Sequence, residues 1–132
     1  MTTTDDVDAR VAALAGAAPD AEIDLWRAVV RLPQWFFIDR GEPDRPRPYG
    51  VAFDAGPVIC VYSSAERAQR AARDLGLAGE SEPVPLMTVP MPAALDWIQS
   101  FAAAGVFGIV LDHPQVGHYV PLPNLAFLRR EM

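Results

Sequence analysis

Two histidines and two adjacent serines are the residues in this chain with the most chemical potential. His113 lies in the step Asp112-His113-Pro114, and His118 follows five residues later. Two imidazoles and a carboxylate this close in sequence could converge on a metal or a small ligand. Their spacing matches no compact ligand motif such as HExxH, and a turn residue followed by a strand residue accounts for it equally well. Asp112, His113 and His118 thus form one possible ligand site, with no metal expected. Ser63-Ser64 end an apolar run and open a helical one, as a nucleophile would. The G-x-S-x-G context of a nucleophile elbow is missing, and no base can be placed beside them. A helix N-cap explains both serines. Cys60 alternates with Val58 in an apolar run and reads as a small core residue, not a reactive thiol. Gly105-Val106-Phe107-Gly108 leads into a strand, the wrong order for a dinucleotide site. No catalytic set emerges, and no cofactor is expected.

Two features point instead to contact surfaces. Arg67, Arg70 and Arg73 recur at a spacing of three along one helical segment and could meet an acidic partner, although Glu66 and Asp74 dilute their charge. Trp97 stands beside Asp96 on a helix whose inward stripe already holds Leu95, Ile98 and Phe101. An exposed Trp97 would mark an interface.

The elements that must position these residues follow from periodicity. Val7, Val11 and Leu14 recur at helical spacing within Asp5–Ala18, with Asp5 or Asp6 as cap, and their apolar face is narrow. Residues 1–18 are therefore expected to form a loosely attached N-terminal helix. Pro19 interrupts it. A second helix runs from Asp20 to about Leu32. Trp35–Ile38 is a short aromatic strand, and Asp39–Pro48 is a charged loop with three prolines. Tyr49–Asp54 and Pro57–Tyr62 read as strands, the second apolar on both faces and so central. Ser63 with Glu66 looks like a capping box for a helix ending at Gly76. Val84–Val89 is a strand near an edge because Pro85 sits inside it. A helix then starts at Pro92 and ends at Gly105. Val106–Leu111 is a strand, Asp112–Gly117 a turn, His118–Leu122 a strand, and a last helix begins at Pro123. The order is α-α-β-β-β-α-β-α-β-β-α. It predicts a single α+β domain over 1–132, a mixed sheet of about five to six strands with helices packed on it.

Composition excludes several classes. The 132 residues carry 11 Lys+Arg against 17 Asp+Glu, a net charge of −6, and every one of the cations is arginine. This balance argues against general nucleic-acid binding, which needs cations to displace phosphate counterions. At 51% hydrophobic residues the chain is no disordered tail. One cysteine, an acidic N-terminus without a signal-peptide pattern and no long apolar segment predict a cytoplasmic protein with no membrane span. The lysine-free, alanine-rich composition reads as a coding bias of the source genome.

Three segments taken together resemble a known family. They are Val61-Tyr62-Ser63-Ser64-Ala65-Glu66-Arg67-Ala68, Ala93-Ala94-Leu95-Asp96-Trp97-Ile98 and Gly108-Ile109-Val110-Leu111-Asp112-His113-Pro114. In order and spacing they are similar to the N-terminal domain of the SseB family, from about Trp26 onward. In that family an apolar strand ends in an aromatic-Ser/Thr-Ser step, a helix and a further strand-helix unit follow, and a later strand ends in Asn-Pro. Here Asp112-His113-Pro114 replaces Asn-Pro, a proline-rich loop occupies 43–48, and no second domain is expected. The family is named for serine sensitivity and has no assigned catalytic residues, so the resemblance implies none here. The expected function is a non-enzymatic module for protein–protein interaction or self-association, using Arg67, Arg70, Arg73, Trp97 and the 39–48 loop. A ligand site at the 112–118 turn is the alternative. An accessory factor of a secretion or toxin-immunity system, neutralising a basic partner, is another.

Overall fold

The computed structural model describes residues 2–14, 20–42 and 44–131. Among the described residues, five α-helices and six strands follow the expected order. They are α1 (Thr4–Ala13), α2 (Ala21–Val30), β1 (Gln34–Ile38), β2 (Gly50–Phe53), β3 (Gly56–Val61), α3 (Ala65–Asp74), β4 (Leu86–Pro90), α4 (Ala93–Gln99), β5 (Gly108–Leu111), β6 (His118–Pro121) and α5 (Leu122–Glu131). A 3-10 turn, Ser100–Ala104, extends α4 and stops at Gly105, whose φ of 91° favours glycine. The stretch 15–18, expected to be helical, the break at Pro19 and Pro43 of the charged loop lie outside the described residues.

The strands divide between two sheets. Four of them run in the order β2-β3-β5-β6, with β3 and β5 parallel and the outer pairs antiparallel. The crossover from β3 to β5 carries α3, β4 and α4. The remaining two, β1 and β4, pair with each other antiparallel. One bridge joins the sheets: Phe36 and Tyr62 exchange backbone hydrogen bonds of 3.0 and 2.9 Å. The strand containing Leu86 is thus kept from the larger sheet, in line with the proline that precedes it.

Each face of the four-stranded sheet has its own core. Ile59, Val61, Ile109, Leu111 and Val120 pack with residues of α2, α4 and α5. Val58, Cys60 and Val110 face the other way, onto Ala68, Ala71 and Ala72 of α3. Alternate residues of a strand point to opposite faces, so two-sided burial requires the continuous apolar runs seen in β3 and β5. Alanines on α3 let its backbone approach closely, and the strands nearest to it are β1 and β4 of the smaller sheet. Gly108 is required where β5 meets β6, because a β-carbon there would overlap the Val120 carbonyl.

The first helix packs against α2, with Val11 and Leu14 half-buried around the core that holds Val7. Val7 alone among its residues is buried, in keeping with the narrow apolar face read from the sequence. Its cap is Thr3 and not Asp5 or Asp6. Thr3 Oγ1 accepts from the Asp6 N–H at 3.2 Å, and the Asp6 carboxylate accepts from the Thr3 N–H at 2.9 Å. This reciprocal pair needs a hydroxyl at the cap and a carboxylate three residues on, which the Thr3/Asp6 spacing supplies. Among the described residues no helix is long and apolar enough to cross a membrane.

Candidate functional site

The parallel pairing of β3 with β5 sets Ser63 and Asp112 side by side. Val61 and Leu111 are register partners, and the Asp112 N–H donates to the Val61 carbonyl at 2.9 Å. Both chains then leave the sheet at their carboxyl ends, the side on which open α/β sheets form their ligand crevices. The Asp112 carboxylate turns inward there. It accepts from the Ser63 N–H and from Ser63 Oγ, each at 2.8 Å. Asp112 is 1% exposed, and its φ of 46° lies in the left-handed region that aspartate tolerates better than most residues.

Arg67 closes this network from the first turn of α3. Its Nη1 donates to Asp112 Oδ2 at 2.9 Å. The same guanidinium grips Asp8 of α1 with both terminal nitrogens, Nη1 to Oδ1 at 2.8 Å and Nη2 to Oδ2 at 2.6 Å. Asp8, then Asp112, hold the Arg67 guanidinium above its ordinary value, so it stays charged. Thr4 Oγ1 of α1 adds a 3.4 Å bond to the Ser63 carbonyl. Nearby, Tyr62 Oη donates to the His113 carbonyl at 2.9 Å, and burial pushes the Tyr62 phenol up.

This arrangement revises the serine assignment. The N-cap of α3 is Ser64, whose Oγ accepts from the Arg67 N–H at 3.2 Å. Ser63 sits one residue earlier, at the end of the strand, where its hydroxyl meets a carboxylate and not a helix N–H. Sequence alone could not separate the two serines, since Asp112 lies 49 positions away from the first. Ser63 Oγ donates to Asp112, whose other partners are a backbone N–H and an arginine. No imidazole stands between hydroxyl and carboxylate, so the geometry lacks the base of a nucleophilic triad.

The other residues singled out are dispersed. His113 is half-buried, its ring edge-on to Phe53 with centroids 6.2 Å apart, and burial lowers its pKa. His118 pairs with Leu111 across β5 and β6. The carboxylate of Asp112 is committed to Ser63 and Arg67. Among the described residues no group of three His, Cys, Asp or Glu could hold a metal ion. The arginine stripe divides likewise. Arg67 is engaged by two acids, Arg70 is exposed with Asp74 at 3.8 Å, and Arg73 is exposed. Trp97 is half-buried. Its ring meets Phe37 edge-on at 5.1 Å and Phe101 at 5.3 Å, because the 3-10 turn after α4 brings Phe101 back beside it.

Among the described residues, the large hydrophobic side chain most presented to solvent is one not singled out from the sequence. Phe127 of α5 is 54% exposed. It stands on the rim of a groove of about 460 Å³ between α2 and α5, walled by Ile23, Trp26, Val120 and Leu128. The helical spacing of Leu125 and Leu128 accounts for the inward face of α5, and Phe127 falls off that face. No family model matches this chain, and no curated protein matches it.

Proposed function

We propose that this chain is a non-enzymatic, cytoplasmic interaction module of SseB-like type that works by binding protein. We further propose that the face of α2 and α5 is its contact, with a second copy of the chain as occupant. The observation that carries this reading is Phe127, a large aromatic side chain more than half exposed beside an apolar groove. Solitary exposed apolar residues are ordinary, but an aromatic knob beside an apolar hole is the composition of an interface centre. Knob and hole lie on one patch of one molecule. A two-fold axis through that patch would seat each Phe127 in the other copy's groove, which is what a self-complementary contact requires. Polar groups border the apolar wall, with Glu22 of α2 and Asn124 of α5 lining the same groove.

The inward-facing Ser63–Asp112–Arg67 set supports the non-enzymatic part of the reading, since its polar groups satisfy one another. Analytical ultracentrifugation over a concentration series tests the contact. The wild-type chain is expected to associate reversibly, and Phe127→Asp to raise the dissociation constant by about 30-fold or more. A wild-type chain that stays monomeric throughout rejects the second copy as occupant. Affinity capture from the native host with wild-type and Phe127→Asp baits would then decide whether another protein takes the groove.

A further inference from the structure

We infer that Arg67, braced by Asp112 and Ser63, is a receptor for the carboxylate of an acidic helical segment, and that Asp8 of α1 is its built-in ligand. The groups that brace Arg67 from behind, Asp112 and Ser63, lie outside α1. Asp112 fixes one edge of the guanidinium at 2.9 Å, and Ser63 fixes Asp112 through two bonds of 2.8 Å. The adjacent edge, which shares Nη1, presents two N–H groups in the fork geometry that takes a carboxylate in two parallel bonds. Asp8 occupies that edge with contacts of 2.8 and 2.6 Å. The place is the carboxyl end of two parallel strands beside the start of α3, where α/β sheets hold their ligands.

α1 packs on α2 and places Val7 in the core, and its polar face acts as a ligand of this site. Its anchors form a short pattern: Thr4 on the Ser63 carbonyl, Val7 buried, Asp8 on Arg67. It leaves its seat incompletely filled. One cavity of about 360 Å³ opens beside Asp8, Arg67, Asp112 and Gln115, and a second of about 360 Å³ opens beneath Thr3 and Thr4, against Phe36 and Ser63. Ten residues of helix are too short to persist unaided in water, so α1 is ordered by its packing on α2 and by this seat. An acidic helix from a partner with the same Thr-x-x-Val-Asp pattern would meet the same three anchors. Binding it requires α1 to leave, so α1 guards the site against weaker acidic ligands.

A fluorescein-labelled peptide of residues 2–14 is the probe, titrated by anisotropy into the full-length chain. With Asp8→Ala in the chain, the built-in ligand is weakened, and the peptide is expected to bind at least tenfold more tightly than to the wild type. An Asp8→Asn peptide is expected to bind at least tenfold more weakly than the parent peptide. Equal binding to both chains, no binding to either, or equal binding of both peptides overturns the inference. Far-UV circular dichroism checks that the Asp8→Ala chain is folded; if it is not, Asp8→Asn in the chain keeps the side-chain shape and replaces it. Phe127→Asp should leave the peptide titration unchanged, so this inference and the α2/α5 contact fail or stand separately.

Discussion

Asp112 is a carboxylate removed from water, held on a left-handed backbone, with three donors arranged around it. Burying such a charge is unfavourable unless every lone pair is answered, and removing one partner strands the others. Asp112→Ala is expected to lower the unfolding free energy by about 3–5 kcal/mol, read from urea denaturation, because Arg67 and Ser63 lose their common acceptor. Asp112→Asn keeps an acceptor oxygen and should cost less. Cys60 is the opposite case, an apolar use of a reactive atom. It is fully buried, and burial pushes its thiol up to about 12. A thiol reagent at pH 8 is therefore expected to leave the native chain unlabelled and to modify one thiol per chain after denaturation. The sequence singled out both residues. For Cys60 the apolar alternation of β3 was sufficient. For Asp112 the unusual Asp-His-Pro step drew attention, but its partners come from segments dozens of positions away.

At the scale of elements, the helix starts show what local chemistry decides. Thr3 and Ser64 each cap a helix through a hydroxyl aimed at the third N–H of that helix. Ser64→Ala is expected to cost about 1 kcal/mol and to fray the first turn of α3, measured by chemical denaturation and amide exchange. Ser63→Ala acts through the buried carboxylate instead, at about 1–3 kcal/mol. The serine with the larger effect is thus the one that does not cap. Element order, the two-sided apolar character of β3 and β5, and the stop at Gly105 were all legible from periodicity and punctuation. The partition into two sheets was not, because strand pairing over long separations leaves no trace in either strand's own pattern.

Across the whole molecule, the β3–β5 crossover converts distant segments into one network. It brings the end of β3, the first turn of α3 and the turn after β5 together, and α1 then docks on them through Asp8. The same turn carries a titration. Burial holds the His113 imidazole below the ordinary 6.5. Between that lowered value and 6.5 the unfolded chain binds more protons than the folded one, so stability rises with pH through this window. The contribution is complete above about pH 6.5 and is lost as the pH falls through the folded value. Melting temperatures between pH 7.5 and 5 should therefore decline, and His113→Gln should flatten that part of the curve.

By itself the sequence determined the α+β class, the order of helices and strands, the acidic and lysine-free surface and the inert burial of Cys60. Each of these is a property of neighbours in the chain: periodicity, capping residues, proline and glycine punctuation, and summed charge. Tertiary structure alone decided that Asp112 faces Ser63 and Arg67 rather than a histidine, that Trp97 packs edge-on against Phe37 and Phe101, and that Phe127 stands exposed along the α2/α5 groove. The physical reason is the same in all three. A side chain's partners are set by which faces meet when parallel strands and their crossover helices pack, and those faces come from segments that do not neighbour one another in sequence.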